Sequence, residues 1–235
     1  MLSNIPTHLI SGSLGAGKTS LIRALLAQRP ASERWAVLIN EFGQIGLDAA
    51  LLTTDDSGVS LAEVAGGCLC CVNGVPFQVG LSRLLRKTKP DRLFIEPSGL
   101  GHPAELLDQL SRAPWLGVLA VQPCVAVVDG PGLLRGEPLP ESQQQSMNRC
   151  GLLVINKSDR LGQTERLALQ ALLPSIPVCW TQHGQLPLGK LPGIDQHAGN
   201  AETAPSSLPS LTASLGSVWL DPRQPLCQSQ GNADG

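Results

Sequence analysis

One run of eight residues limits what this chain can fold into more than any other part of its sequence. It reads Gly-Ser-Leu-Gly-Ala-Gly-Lys-Thr over residues 12–19, directly after an apolar segment at residues 7–11 and directly before a segment with helical spacing. Glycines allow the backbone to curl until its N–H groups and the start of the helix face an anion. The run therefore predicts a strand, a phosphate-binding loop and a helix; an ordinary glycine-rich turn is the structural alternative.

Four further apolar runs resemble residues 7–11, because each is short and ends at a polar residue or a glycine. They lie at residues 35–40, 92–95, 124–128 and 151–155. Helix-length segments with apolar residues at 3.6-residue spacing separate them, so strands and helices alternate along the chain. The alternation predicts an α/β fold: a doubly wound, mostly parallel sheet of the P-loop NTPase type, with ligands at the carboxyl ends of the strands.

Composition and charge argue against several classes of protein. The 235 residues are 42% hydrophobic, yet no apolar stretch approaches the ~20 residues that a membrane span requires. A formal net charge of −2 without a basic block argues against nucleic acid or an anionic membrane as a partner. Residues 1–4 lack the basic start and the cleavage site of a secretory signal, so we expect a cytoplasmic protein.

The phosphate-binding loop assigns roles to individual side chains. Lys18 is predicted to reach the β- and γ-phosphates of a nucleotide, and the Thr19 hydroxyl is predicted to bind Mg²⁺. Lys18 is also a candidate catalytic residue, because the loop would stabilise the charge of the transferred phosphoryl group. The other residues predicted to bind the phosphates are Gly12, Gly15, Ala16, Gly17 and Ser20.

A second motif, Asn156-Lys157-Ser158-Asp159, follows the apolar run at residues 151–155. The Asp159 carboxylate can accept hydrogen bonds from the ring N–H and the exocyclic amine of guanine, and adenine offers neither group. Asn156 can bond the other edge of the base and brace the loop, and the aliphatic stem of Lys157 can cover the face of the base. A helix cap is the structural alternative, since Ser158 and Asp159 suit that position. Together with the phosphate-binding loop, the motif predicts GTP and GDP as ligands.

Three carboxylates after other predicted strands are candidates for catalysis and Mg²⁺ binding. Glu96 is predicted to order the Mg²⁺ shell or the attacking water, and the N–H of Gly99 is predicted to contact the γ-phosphate. Glu41 and Asp48 offer further oxygen ligands for Mg²⁺. The structural alternatives are an acidic strand end in a turn for Glu96 and solvated loop positions for Glu41 and Asp48.

The cysteines divide into one cluster and four single residues. Cys68, Cys70 and Cys71 follow two glycines, and three thiolates this close can converge on one soft cation while a fourth position stays open. Redox chemistry is the alternative, because Cys68 and Cys71 form a C-x-x-C pair. The single cysteines are expected to be packed core residues: Cys124, Cys150, Cys179 and Cys227.

These blocks together resemble the CobW family of metallochaperone GTPases, relatives of the urease and hydrogenase nickel-insertion GTPases. The most specific match is Gly-Gly-Cys-Leu-Cys-Cys. The resemblance implies a GTPase whose Cys68, Cys70 and Cys71 hold Zn²⁺ or Co²⁺, with metal affinity and delivery tied to the nucleotide state. The matching segments occur in family order across about residues 1–190: 12–19, 40–43 with Asp48, 66–71, 96–99 and 156–159.

The resemblance also carries expectations about partners and domains. It implies a client protein, a metalloprotein or a cobalt or zinc enzyme, and it raises a nucleotide-dependent homodimer as a further partner. Family members usually carry a second α+β domain after a linker, and from about Gly193 this sequence turns to Ala, Ser, Thr, Pro and Gly. We expect a GTPase domain at residues 1–192, followed at 193–235 by a linker and the remnant of a truncated C-terminal domain.

The sequence thus predicts hydrolysis of GTP to GDP and phosphate, coupled to the handling of zinc or cobalt. Two alternatives stay open. A nucleotide or metal sensor would bind its ligands without useful turnover, and a thiol redox protein would form a disulfide between Cys68 and Cys71.

Overall fold

The computed structural model of the chain describes residues 2–39, 51–54, 59–63, 75–97 and 102–194. Within this part of the chain, strands make up a single twisted sheet. The strands are β1 (Ile5–Gly12), β2 (Trp35–Ile39), β3 (Leu51–Thr54), β4 (Val59–Glu63), β5 (Arg92–Glu96), β6 (Leu119–Val121), β7 (Val125–Asp129), β8 (Leu152–Asn156) and β9 (Val178–Trp180).

The order of the strands confirms the predicted α/β architecture. Across the sheet it is β3-β4-β2-β5-β1-β7-β8-β9, and β6 pairs with the beginning of β1. The pairs among the described strands are parallel except β3 with β4, so the carboxyl ends of the parallel strands meet at one edge. The register sets Asp129 opposite Asn156 and Ile39 opposite Glu96. Polar residues that are far apart in sequence therefore converge at that edge.

Helices connect the strands and have identifiable start signals. Pro103 occupies the first turn of α3, where a missing N–H costs nothing, and Asp129 caps α4 by accepting a hydrogen bond from the N–H of Gly132 at 3.2 Å. Short 3₁₀ turns span Ser158–Arg160 and Leu188–Lys190. The helices are α1 (Lys18–Leu26), α2 (Val75–Thr88), α3 (Pro103–Leu110), α4 (Gly130–Leu134), α5 (Glu141–Arg149) and α6 (Gln163–Leu172).

The core lies on both faces of the sheet. Successive strand residues point to opposite faces, so Leu9 packs in the cluster that includes residues of α2, α3 and α5, whereas Ile10 packs in the cluster that includes residues of α1. In β5, Ile95 and Phe94 divide in the same way. Burial on both faces explains why these strands are continuous apolar runs in the sequence.

A polar cluster is buried toward the amino ends of β1 and β5, away from the loop that follows β1. The guanidinium of Arg92 lies 2.7 Å from Nε2 of His8, 3.8 Å from the Glu33 carboxylate and over the ring of Trp35, and it donates to the Ile194 carbonyl at 3.2 Å. Because arginine can only donate, the facing nitrogen of His8 must be the unprotonated acceptor. Burial, reinforced by the charge of Arg92, lowers the pKa of His8 to about 3. We call these four side chains the buried arginine cluster: His8, Glu33, Trp35 and Arg92.

All five predicted strands are present, with ends that shift by one or two residues where the structure describes them. The sequence prediction missed β3, β4, β6 and β9. β6 and β9 are apolar but have only three residues each, too few to stand out as strands, and β3 and β4 are interrupted by Thr53, Thr54, Ser60 and Glu63. Their pairing partners, not their own composition, hold them in the sheet.

The single cysteines of the described chain are close to expectation. Cys124 and Cys150 are buried, and Cys179 is half-buried. Burial raises the pKa of all three thiols, that of Cys150 to about 12, so they remain protonated at neutral pH.

Cys227 lies outside the described residues, as does the region 195–235. The domain division at residue 192 therefore stays a prediction. No helix within the described ranges is long and apolar enough to cross a membrane.

Candidate nucleotide-binding site

The predicted phosphate-binding loop joins β1 to α1, as the sequence indicated. Gly12 is the last residue of β1, Gly15 lies on the exposed tip of the loop, Ala16 is buried, and Gly17 precedes the first helical residue. The first N–H groups of α1 have no partners inside the helix, and the helix dipole adds positive character at this end. The loop and the start of α1 can therefore hold an anion.

Gly17 is required by both its conformation and its surroundings. Its φ of 101° lies in the left-handed region, and a Cβ atom there would collide with Nδ2 of Asn156. Any other residue at position 17 would separate the loop from Asn156. The glycine thus permits a close contact between the phosphate-side and base-side motifs.

Lys18 is mostly buried, with 7% of its surface exposed, although it is the first residue of α1. Its Nζ donates to the Ser13 carbonyl at 3.2 Å, so the side chain folds back across the loop. A positive charge held beside the exposed backbone of the loop is suited to an anionic phosphate, and it cannot be replaced by another cation from the loop itself.

The predicted Mg²⁺ ligand Thr19 and the predicted catalytic residue Glu96 meet directly. The Thr19 hydroxyl donates to the Glu96 carboxylate, at 2.9 Å to Oε1 and 3.2 Å to Oε2. Glu96 ends β5 next to β1, and Thr19 lies in the first turn of α1, so neighbouring strands bring them together. Hydroxyl and carboxylate oxygens are the donor type that Mg²⁺ prefers, and this pair fits such an ion. Ser20 is exposed beside Thr19.

Asn156 connects the base-side motif to the phosphate-binding loop. Its Nδ2 donates to the Ala16 carbonyl at 2.9 Å, and its Oδ1 accepts from the Thr181 hydroxyl at 3.2 Å and the Gly184 N–H at 3.0 Å. Asn156 is buried, and these contacts satisfy both ends of its amide. Its role in the structure is to brace three chain segments, which was one of the two roles predicted for it.

Lys157 adopts an unusual backbone conformation and forms an ion pair. Its φ is 58°, and its Nζ lies 2.5 Å from the carboxylate of Asp129. Burial alone would raise the pKa of Asp129, but hydrogen bonds from Lys157 and the Gly132 N–H outweigh it and hold that pKa below its usual range. The ion pair fixes the end of the Lys157 side chain, so the stem that is predicted to cover the base is held in one direction.

Asp159, the predicted base reader, is exposed within the 3₁₀ turn Ser158–Arg160. The turn follows β8 directly, at the same sheet edge as Gly12 and Glu96. An exposed carboxylate on this turn is accessible to a ligand. The structure thus brings the phosphate loop, Glu96 and the Asn156–Asp159 motif to one edge of the sheet.

Several predicted site residues lie outside the described residues. They are Glu41, Asp48, Cys68, Cys70, Cys71 and Gly99. Among the residues that are described, no group of three or more His, Cys, Asp or Glu side chains is arranged to hold a metal ion. The metal assignment of the cysteines therefore remains a prediction from the sequence.

Three residues of the site were missed by the sequence analysis: Asp129, Thr181 and Gly184. Asp129 follows the predicted strand at 124–128, so the rule that ligands gather at strand ends had indicated its position. Thr181 and Gly184 follow β9, which was not predicted, and a Cβ atom at Gly184 would collide with the backbone of Leu21 in α1. This glycine lets the loop after β9 pack against the helix of the phosphate loop.

The arrangement defines a nucleotide-binding domain of the P-loop class, and comparison with known proteins gives its family. The model of the CobW/HypB/UreG nucleotide-binding domain matches residues 6–176. The chain therefore belongs to the CobW/HypB/UreG family.

Individual relatives are similar over much of this chain. The zinc chaperone YeiR of Escherichia coli is 46% identical over 183 residues, which cover 76% of this chain and 52% of that protein. The zinc chaperone CobW of Pseudomonas aeruginosa is 28% identical over 232 residues, which cover 84% of this chain and 62% of that protein. The chain thus spans about half to three-fifths of the length of these curated relatives.

Solved structures show the same fold. The crystal structure of Zn(II)-bound YjiA GTPase from E. coli superimposes with a TM-score of 0.59 at 24% sequence identity. The match covers 80% of this chain and 61% of that one.

Proposed function

We propose that this chain binds and hydrolyses GTP and couples the nucleotide state to the binding and delivery of Zn²⁺ through Cys68, Cys70 and Cys71. The observation that carries the nucleotide part is the hydrogen bond from Asn156 to the Ala16 carbonyl, which joins the guanine-reading motif to the phosphate loop. The zinc part is supported by the 46% identical relative, which is named a zinc chaperone.

The proposed reaction is attack of water on the γ-phosphorus of GTP, which breaks the bond between that phosphorus and the oxygen bridging to the β-phosphate. The products are GDP and inorganic phosphate. The N–H groups of residues 15–19 and the charge of Lys18 would stabilise the negative charge of the transferred group. Glu96 would order the attacking water or the metal shell, and Gly99 would contact the γ-phosphate.

Mg²⁺ would be held by the Thr19 hydroxyl together with carboxylates, of which Glu96 is already in contact with Thr19. Glu41 and Asp48 are further candidates from the sequence. When bound, the ion neutralises charge on the β- and γ-phosphates.

Base selection would reside in Asp159, with Asn156 and Lys157 holding the turn around it. A site built to hydrogen-bond a particular group of its substrate can reject analogues lacking that group by roughly 10⁴-fold. The ion pair of Lys157 with Asp129 and the contacts of Asn156 with Thr181 and Gly184 limit movement of this turn. A rigid turn loses less entropy when the base binds.

The metal ion is the cargo in this proposal, and Co²⁺ is an alternative to Zn²⁺. Three thiolates leave one coordination position for an exchangeable ligand, which suits transfer better than permanent structure. The receiving partner would be a client metalloprotein, and a nucleotide-dependent homodimer is a further proposed assembly. For coupling, metal and GTP must favour the same conformation of the chain, so that each raises the affinity for the other by the same factor.

The decisive experiment is a competitive Zn²⁺ titration of the full chain with a chelating dye. It is carried out with Mg²⁺ and a non-hydrolysable GTP analogue, and then with Mg²⁺ and GDP. We expect one Zn²⁺ ion per chain and at least about fivefold tighter binding with the GTP analogue, the lower end of typical coupling between sites. Zn²⁺ binding should also release protons, because thiols are mostly protonated at neutral pH.

Two variants control the titration. Cys70→Ser should abolish tight Zn²⁺ binding, whereas Cys179→Ser removes a thiol outside the motif and should not change it. Equal Zn²⁺ affinity in both nucleotide states would contradict the coupling. A site that survives replacement of Cys68, Cys70 and Cys71 would contradict the metal assignment, and a Cys68–Cys71 disulfide formed in mild oxidant in place of Zn²⁺ binding would favour redox chemistry.

A further inference from the structure

An open groove of about 640 Å³ lies along the outer face of helix α2. The inner face of the helix packs Phe77, Leu81, Leu84 and Leu85 into the core. The outer face forms two adjacent rows at four-residue spacing, which is the spacing of neighbours on one side of a helix. Pro114, from the segment after α3, also lines the groove. The residues of the two rows are Gln78, Val79, Ser82, Arg83, Arg86 and Lys87.

The groove carries three positive charges without a negative one from its own helix. The sequence of α2, Val-Pro-Phe-Gln-Val-Gly-Leu-Ser-Arg-Leu-Leu-Arg-Lys-Thr, contains no Asp or Glu. Arg83, Arg86 and Lys87 are exposed, and the ion pairs found in the described part of the chain use other cations: Arg34, Arg92, Arg112, Arg135 and Lys157. This local excess of positive charge contrasts with the net charge of −2 of the whole chain.

A solvated helix face explains part of this pattern but not all of it. Cations in the last turn are favoured by the helix dipole, which accounts for Arg86 and Lys87. It does not account for Arg83, which lies before that turn. Nor does it account for the half-exposed Val79 and for Pro114, which give the groove an apolar contribution beside its charges. Protein interfaces combine an apolar centre with a polar rim and are enriched in arginine, and the groove has both features.

We propose that the groove along α2 binds an acidic peptide segment of a partner protein. Carboxylates of the segment would pair with Arg83, Arg86 and Lys87, and an apolar side chain of the segment would contact Val79 and Pro114. Arginine pairs with carboxylates through two parallel hydrogen bonds, so two arginines separated by less than one turn can fix the position of the segment as well as attract it.

The identity of the partner as the client rests on the proposed function. Carboxylates are common metal ligands and are ionised before the metal binds, so a client whose site includes them presents negative charge near that site. Arg83 lies about 12 Å along the helix axis from Val75, at 1.5 Å per residue, and Cys71 precedes Val75 by four residues in the sequence. A segment bound along α2 would therefore hold the client close to the start of the helix that follows the cysteines.

The test measures fluorescence anisotropy of a labelled ten-residue glutamate peptide with the full-length chain at roughly 25 mM salt, where screening is weak. The test variant is Arg83→Glu with Arg86→Glu. The control variant, Arg23→Glu with Lys190→Glu, makes the same change in net charge at exposed positions outside the groove. We expect the test variant to bind at least about tenfold more weakly than wild type and the control to differ by less than about twofold.

Further measurements separate this proposal from the proposed function. GTP hydrolysis and Zn²⁺ binding should be unchanged in the test variant, because the groove does not include the nucleotide-site residues. Equal weakening in the test and control variants would show only a general charge effect and would overturn the groove assignment. Binding of a ten-residue oligothymidine as tight as that of the peptide would overturn the assignment to a peptide.

Discussion

The neighbouring strands β1 and β5 carry polar groups at both ends, and the two ends differ in what those groups contact. At the carboxyl ends, Thr19 and Glu96 meet beside a loop whose tip is exposed. Toward the amino ends, His8 and Arg92 are enclosed, with 0% and 3% of their surfaces exposed, and they contact each other. The carboxyl ends leave the loop tip and Thr19 accessible to a ligand, whereas the side chains at the amino ends are enclosed by the protein.

Because of this difference, we expect the amino ends to contribute mainly to stability and the carboxyl ends mainly to ligand binding. Removing one partner of a buried ion pair typically costs about 3–5 kcal/mol, so loss of a member of the buried arginine cluster should destabilise the folded domain. The nucleotide edge depends less on such pairing, because water can solvate its exposed residues Thr19, Ser20 and Asp159 until a ligand replaces it. Substitutions at the two ends should therefore produce distinct effects, either on unfolding or on nucleotide binding.

The largest effect is expected for Arg92→Met. The substitution leaves Nε2 of His8 and the Glu33 carboxylate without their cation, and we expect the free energy of unfolding to fall by about 3 kcal/mol. Chemical denaturation monitored by circular dichroism measures it. The control is Arg34→Met, which removes an exposed arginine paired with Asp91 and should cost much less. Equal losses in the two variants would contradict a structural role for the cluster.

Lys18→Ala should weaken nucleotide binding and leave stability almost unchanged, the reverse of what we expect for Arg92→Met. Removal of the loop's only side-chain cation should weaken GTP binding by about a hundredfold, because hydrogen bonds from a charged donor to phosphate are lost. Titration with a fluorescent GTP analogue measures the affinity, and Lys190→Ala serves as the control for removal of a lysine. The free energy of unfolding of Lys18→Ala, measured by chemical denaturation, should remain close to that of wild type. Unchanged GTP affinity would remove the phosphate-loop assignment.

The buried histidine predicts that the free energy of unfolding depends on pH, through a group near the amino ends of the strands. His8 has a folded pKa of about 3 against its ordinary value of 6.5, so between these values the unfolded chain binds a proton that the folded chain does not. Its contribution to stability is therefore complete above pH ~6.5 and is lost as the pH falls toward ~3, by about 2 kcal/mol at pH ~5. Arg92 and Glu33 are the charged groups closest to this site.

His8→Gln isolates this contribution, since the amide oxygen can still accept from Arg92 and does not titrate. Chemical denaturation at pH ~7 and pH ~5 should show that the free energy of unfolding falls by about 2 kcal/mol more in wild type than in the variant. The same pH dependence in both proteins would mean that other groups control acid stability.

The sequence could predict the nucleotide edge because its signals are local. The loop at residues 12–19 has its glycines, lysine and strand within one short window, and Asn156–Asp159 directly follows a strand. The sheet class followed from continuous apolar runs, which reflect burial on both faces. Local composition therefore sufficed for the fold class and for the position of the phosphate-binding loop between β1 and α1.

The remaining features depend on contacts between distant residues. His8 and Arg92 are 84 positions apart, and no spacing rule links a histidine in one strand to an arginine at the start of another. The position of Asp129 follows from a predicted strand end, but its ion pair with Lys157 does not, and Thr181 and Gly184 depend on β9, a strand of three residues. These features require knowledge of the strand order, which apolar periodicity does not supply.

The smallest effect is expected for Asp159→Asn, which tests the proposed recognition of guanine at the carboxyl edge. ITP lacks the exocyclic amine of GTP, so the wild type should bind GTP roughly tenfold more tightly than ITP through one hydrogen bond to a charged acceptor. Asparagine offers a single amide oxygen without a charge, so this preference should shrink toward equal binding. Competition of GTP and ITP against one fluorescent analogue measures it. Asp129→Asn is the matched control, because it alters a neighbouring carboxylate that bonds Lys157 and should leave the ratio unchanged. Equal weakening of GTP and ITP by Asp159→Asn would contradict the base-reading role while leaving the phosphate loop unaffected.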